Sequence, residues 1–169
     1  PKHANFYYSD GKLIIRDEDS VNGVFLCARG PTDVPSGTVF LAGEQVFMVE
    51  KVDPFEDEPE DDGTYFFSSP NKEASFRVIQ ILEGGGKGMI VTSKNDQIVI
   101  GREDADMNFP GDPYISGNHL KVEARGDGVG LVDLGSKNGT YVKVSGECEL
   151  THGDYLFLGR QLLRVEITN

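Results

Sequence analysis

Four polar residues and one glycine in three short stretches have the chemistry to hold one anion. Arg102 follows the strand-like run Gln97-Ile98-Val99-Ile100-Gly101. A guanidinium at the end of a strand presents a planar fork of donors, which matches a phosphate monoester carrying about −1.5 to −2 charges at neutral pH. Ser116 offers a hydroxyl donor, and Gly117 has no Cβ, so its backbone N–H can approach an anion closely. The Asn138 amide both donates and accepts, which suits pinning an extended backbone beside the anion, and Lys137 adds a positive charge next to it. Ser116 and His119 also have a spacing that invites a hydrolase reading. No acid is spaced to orient the imidazole, however, and no Gly-x-Ser-x-Gly elbow is present, so His119 reads as a support for the loop of Ser116 and no residue reads as catalytic.

The elements that must carry these residues read as strands. Leu120, Val122 and Ala124 alternate with Lys121, Glu123 and Arg125, and Leu163, Val165 and Ile167 alternate with Arg164 and Glu166. That two-residue period belongs to a half-buried sheet. Gly-containing breaks at Gly84-Gly85-Gly86, Gly101, Gly111, Gly117, Gly126 to Gly130, Gly139, Gly146 and Gly153 separate short runs of Val, Ile, Phe, Tyr and Leu. Many short strands with regular turns indicate an all-β sandwich or barrel. Gly101, Gly135, Gly139 and Gly153 are expected to supply turn conformations. Leu82-Glu83-Gly84-Gly85-Gly86-Lys87-Gly88 lacks the glycine spacing and the Ser or Thr of a phosphate-binding loop, and reads as a hairpin turn.

The 169 residues are 38% hydrophobic and 26% charged, the composition of a globular chain with enough apolar material for a core. A net charge of −12 removes nucleic acid and anionic membranes from the expected partners and leaves a cationic partner or a single anion gripped locally. No apolar stretch has the roughly twenty residues that cross a bilayer, and residues 1 to 15 lack the layout of a secretory leader, so a cytoplasmic location is expected. Cys27 and Cys148 are too few for a disulfide framework and stand in no metal spacing; both are expected as free, half-buried thiols, with no metal and no cofactor. Seven carboxylates (Asp53, Glu56, Asp57, Glu58, Glu60, Asp61 and Asp62) fall where no Lys or Arg occurs between Lys51 and Lys72. Self-repelling and broken by two prolines, this run reads as a solvated linker over 53–72; the ligand alternation of a calcium loop is missing.

An internal repeat spans that linker. Sliding residues 3 to 50 by 116 positions superimposes His3 on His119, Asp17 on Asp133, Ser20 on Ser136, and Asn22-Gly23 on Asn138-Gly139. Gly30, Gly37 and Gly43 fall on Gly146, Gly153 and Gly159, and Gln45, Val49 and Glu50 fall on Gln161, Val165 and Glu166, making 11 identities in 48 positions without a gap. Turn glycines and strand phases kept in register this long indicate a second copy. Nothing in residues 1 to 52 corresponds to residues 73 to 118, so this copy lacks its opening strands and is expected to be completed by residues outside it, by another chain, or by packing on the second domain. Its Asn22 and Gly23 survive, but Val21 and Val24 stand where the second copy has Lys137 and Thr140, which argues against an anion site there.

Gly101-Arg102, Ser116-Gly117-Asn118-His119 and Asn138-Gly139-Thr140, followed by Leu150-Thr151-His152-Gly153-Asp154 and a closing Leu158-Gly159 turn, resemble the forkhead-associated (FHA) domain, a phosphothreonine-reading β-sandwich. The resemblance covers 73–169 as a complete domain of about eleven strands in two sheets, and 1–52 as the latter half of a preceding FHA-like domain. It implies a non-enzymatic module in which Arg102, Ser116, Gly117, Lys137 and Asn138 bind a phosphopeptide, with Asn138 orienting its backbone and Gly101, His119, Gly139 and Thr140 supporting the site. The partner implied is a phosphothreonine-containing protein, so that kinase signalling drives assembly. The segment Asn108-Phe109-Pro110-Gly111-Asp112-Pro113-Tyr114 resembles bacterial members, and Tyr114 is expected on the peptide-facing wall. Thr64, directly after the acidic run, is a candidate phosphorylation site through which the chain would occupy its own site. The alternative is a phosphate-independent assembly module of tandem sandwiches, forming homo-oligomers through the incomplete first domain.

Overall fold

Short apolar-alternating runs between turn residues fold as strands throughout, and no α-helix occurs among the described residues, which in this computed structural model are 3–53, 59–65, 67 and 74–168. Before the acidic segment come β1 (Ala4–Ser9), β2 (Lys12–Asp17), β3 (Val24–Cys27), β4 (Thr32–Val34), β5 (Val39–Ala42) and β6 (Gln45–Lys51). After it come β7 (Phe76–Ile81), β8 (Lys87–Thr92), β9 (Gln97–Gly101), β10 (Met107–Asn108), β11 (Asn118–Arg125), β12 (Gly128–Asp133), β13 (Thr140–Lys143), β14 (Glu147–Leu150), β15 (Tyr155–Leu158) and β16 (Gln161–Arg164). Of the segment expected as a linker, 53–72, residues 54–58, 66 and 68–72 lie outside the described residues, and most of that expectation falls there.

Strands from the two sides of that segment alternate in the same sheets. Five strands form the order β10-β9-β11-β12-β4, three form β1-β2-β14, and eight form β16-β15-β3-β13-β5-β6-β7-β8. Hence β4, β5 and β6 of the first copy pair with strands from the other side of the segment, while β14 and β15 of the second copy pair with strands of the first and β16 follows on β15. The repeat explains why this works. Thr140↔Ala42 and Val142↔Phe40 become, on subtracting and adding 116, Val24↔Leu158 and Leu26↔Leu156, and both sets of pairs exist. The β12–β4 register maps onto β14–β2 in the same way, and β11–β12 maps onto β1–β2. The β3–β13 pair maps onto itself, with Val142↔Leu26 on the pseudo-two-fold. Two copies have therefore exchanged their last strands about a local dyad, the arrangement of an isologous swapped dimer built within one chain.

Each exchange closes a core. Phe40, Ala42, Phe47 and Val49, alternating along β5 and β6, are buried with Phe76, Val78, Ile98, Ile100, Leu120, Val122 and Leu131 between the eight- and five-stranded sheets. Phe40 and Phe47 stack with ring centroids 5.3 Å apart, and Phe109 meets Phe47 edge-on at 5.4 Å. Each such ring contributes about 1.5–3 kcal/mol by leaving water. The smaller core joins Ile15 and Val24 to Val144, Leu150, Leu156 and Val165. The alternation expected at the end of the chain holds at Val165, which is buried, and at Ile167, which packs against this core, but not at Leu163, which is exposed on β16, the outer strand of its sheet among the described residues. Both cysteines are free and half-buried, in β3 and β14, and burial pushes both thiols up.

Candidate functional site

Three loops meet at one end of the five-stranded sheet, and hydrogen bonds between them place the expected residues together. The chain leaves β9 at Gly101, and the Arg102 N–H donates to both the Ser116 and Gly117 carbonyls at 2.9 Å. Gly101 does not supply a turn: a Cβ there would lie 1.8 Å from the Gly117 carbonyl oxygen, so its role is to admit that close approach. Gly135, Gly139 and Gly153 do have the positive φ expected of turn glycines. The Lys137 N–H donates to the Ser116 Oγ at 3.1 Å, and the Asn138 Nδ2 donates to the Tyr114 carbonyl at 2.7 Å. The Ser116 hydroxyl proton and the Asn138 Oδ1 make no hydrogen bond among the described residues and are the groups left for a ligand.

His119 is fully buried and joins two of the loops. Its Nδ1 accepts from the Ser116 N–H at 3.1 Å, which requires the proton on Nε2, and Nε2 in turn donates to the Gly139 carbonyl at 2.9 Å. With both nitrogens engaged by backbone, the ring has no free edge toward a reacting group. Below it the Asp133 carboxylate accepts from the Ser136 N–H and hydroxyl, the Gly135 N–H and the Thr140 hydroxyl, and the Ser136 Oγ accepts from the Gly139 N–H. Burial pushes the Asp133 carboxyl up, but these bonds and the nearby His119 outweigh it and hold it below its ordinary value. The first copy repeats this device: His3 Nε2 meets the Gly23 carbonyl at 3.1 Å, and Ser20 bonds Asp17 and Gly23 as Ser136 bonds Asp133 and Gly139. Val21, where Lys137 would stand, is fully exposed.

Asp112 is the positioning residue that spacing alone does not reveal. It is buried, and its carboxylate accepts from the Tyr114 N–H, the Glu44 N–H and the Gln45 side-chain amide, all within 2.9 Å. Burial raises this carboxyl, and the bonds from Gln45, Glu44, Tyr114 and Ile115 bring it below its ordinary value. Two of its partners stand 67 and 68 residues away in the first copy. The β5–β6 turn thereby anchors the loop that carries Tyr114 and Ser116.

The electrostatics are asymmetric. Arg16, Arg29, Arg77, Arg125 and Arg164 each pair with a carboxylate, whereas Arg102 and Arg160, both exposed, have no ion pair among the described residues, and neither has Lys137. On a chain of net charge −12, cations without a carboxylate partner are the groups available to an anion. No group of three or more His, Cys, Asp or Glu able to hold a metal occurs among the described residues, and no helix there is long and apolar enough to cross a membrane. Thr64 is exposed, and its N–H and hydroxyl both bond Asp62.

Comparison with known proteins fits these loops. The FHA domain family matches residues 98–159. The chain is 30% identical over 101 residues to the FHA domain-containing protein FhaB of Mycolicibacterium smegmatis, covering 57% of this chain and 65% of that protein. It is 32% identical over 80 residues to the protein of the same name from Mycobacterium tuberculosis, covering 47% of this chain and 51% of that one. The chain thus spans between about half and two thirds of the length of these relatives. No solved structure matches it. The match to the FHA domain family thus falls on the residues that hold the Arg102, Ser116 and Asn138 loops.

Proposed function

We propose that this protein is a non-enzymatic, cytoplasmic module that binds phosphothreonine in an extended segment of a partner protein and so couples protein kinase activity to assembly. The observation that carries the reading is the unpaired Arg102 guanidinium on the loop bonded to Ser116, whose hydroxyl proton is uncommitted. Arg102 anchors the phosphate, Ser116 and the Gly117 N–H complete its cradle, Lys137 adds charge, and the Asn138 Oδ1 accepts an N–H of the peptide backbone. Gly101, His119, Gly139 and Thr140 hold the loops. Calorimetric titration with a degenerate phosphothreonine peptide pool tests it. Losing a charge-assisted bond of about 1.5–3 kcal/mol should cost Arg102→Ala roughly ten- to a hundredfold in affinity, and phosphoserine peptides should bind more weakly. Equal binding by wild type and Arg102→Ala would overturn the reading.

Phosphorylated Thr64 is a proposed internal ligand for the same site, in its own chain or another. Its hydroxyl is exposed on a turn, where a kinase can reach it once the Asp62 bond opens. Stoichiometric phosphorylation of Thr64 in the full chain should block added phosphopeptide, and Arg102→Ala should abolish that competition. An unchanged affinity after phosphorylation would remove the idea.

One observation favours a second reading, assembly without phosphate. The outer edges of β1 and β16 occupy positions where the repeat-related strands β11 and β6 are paired by β9 and β7. Phe6, Tyr8, Leu162 and Leu163 are exposed along these edges. Unpaired edges with apolar side chains are sites for strand addition, including by a second copy. Concentration-dependent association in light scattering, indifferent to Arg102→Ala and to phosphatase, is the result that reading requires.

A further inference from the structure

The strand exchange decides which residue stands at the rim of the phosphate site. Thr140 pairs with Ala42, so the chain running back through Gly139 and Asn138 lies at the same end of the sheet as the Gly43-Glu44-Gln45 turn. That turn is pressed onto the site loop: a Cβ on Gly43 would meet the Asp112 carboxylate at 2.7 Å and the Ile115 nitrogen at 2.9 Å. Glu44 is fixed there by its backbone N–H, 2.8 Å from Asp112, while its side chain is exposed and makes no hydrogen bond or ion pair among the described residues. The repeat equivalents of Gly43-Glu44-Gln45 are Gly159-Arg160-Gln161. The two hairpins share the glycine and the glutamine and differ in charge at the residue between them. Because β5–β6, not β15–β16, pairs with β13, the rim carries an acid where the second copy's own hairpin would carry a base.

We propose that Glu44, delivered to the rim by a hairpin from the first copy, is a specificity-determining residue that selects phosphothreonine segments carrying a lysine or arginine close to the modified threonine. The inference rests on the phosphothreonine reading above and adds the charge of the flanking sequence. Arg102 and Lys137 attract the phosphate; a free carboxylate on the hairpin that holds the Asp112 loop repels acidic neighbours of the phosphothreonine and pairs with basic ones. An exposed pair of this kind is weak, so the preference is a discrimination among phosphopeptides and not the source of their affinity.

Two phosphothreonine peptide pools test it, one with lysine or arginine and one with aspartate or glutamate within three residues of the threonine, titrated against the full chain. Wild type should favour the basic pool about three- to fivefold. Glu44→Gln should erase the preference and Glu44→Arg should reverse it, with melting temperatures unchanged, since the side chain holds nothing. Arg160→Glu should leave the preference as it is in wild type. The inference is overturned if wild type and Glu44→Arg rank the pools alike, or if Arg160→Glu moves the preference and Glu44→Arg does not, which would place the C-terminal hairpin at the rim. Those results leave phosphothreonine binding standing. Failure of both pools to bind, or binding untouched by Arg102→Ala, would instead remove the phosphothreonine reading and the inference with it.

Discussion

At the residue scale, Asp112 and Asp133 tie the site to acid stability. Both carboxyls sit below their ordinary value because hydrogen bonds outweigh burial. A depressed folded value contributes stability above the unfolded value, about 3.9, and that contribution is lost as pH falls through the folded value. Urea unfolding should therefore show constant stability from these groups between pH 7 and about 5, and a decline below about 4 that Asp112→Asn makes shallower. His119→Ala removes a fully buried ring and unpairs the half-buried Ser116 N–H and Gly139 carbonyl, and should cost about 1–3 kcal/mol in the same assay, together with phosphopeptide affinity. Arg102, Ser116, Asn138 and His119 were legible in the sequence because each stands beside a turn with its own local signal. Asp112 was not, since its meaning depends on Glu44 and Gln45, which only the folded chain brings to it.

At the scale of elements, strand phase and turns are written locally, and the 116-residue offset carries even the pairing registers from one copy to the other. What was not legible is which hairpin enters which sandwich. Gly43, Gln45, Val49 and Glu50 match Gly159, Gln161, Val165 and Glu166, so β5–β6 and β15–β16 present near-equivalent patterns to the same slot. Their neighbours distinguish them: β6 lies against β7, completing a core with Phe76 and Val78, whereas β16 has no strand on its outer side among the described residues. Phe47→Ala should accordingly cost about 3–5 kcal/mol in denaturant unfolding and weaken phosphopeptide binding, although Phe47 is remote in sequence from every site loop. A loss below about 1 kcal/mol would mean that β6 does not close this core.

At the scale of the whole molecule, strands from both copies share the sheets, so the candidate site is a joint product of the two. A protease site placed in the acidic segment should yield two fragments that elute together under native conditions and part only in denaturant; fragments that separate natively would contradict the exchange. Arg29 adds a bond across the same division, its guanidinium meeting the Asp154 carboxylate and the Glu149 carbonyl. The most direct test of phosphothreonine recognition is an amide NMR titration of the full chain with one peptide in phosphorylated and unphosphorylated forms. The phosphopeptide should shift the Arg102, Gly117, Lys137 and Asn138 amides, with no response to the unphosphorylated form. Identical responses to both forms, or shifts confined to the edges of β1 and β16, would contradict it.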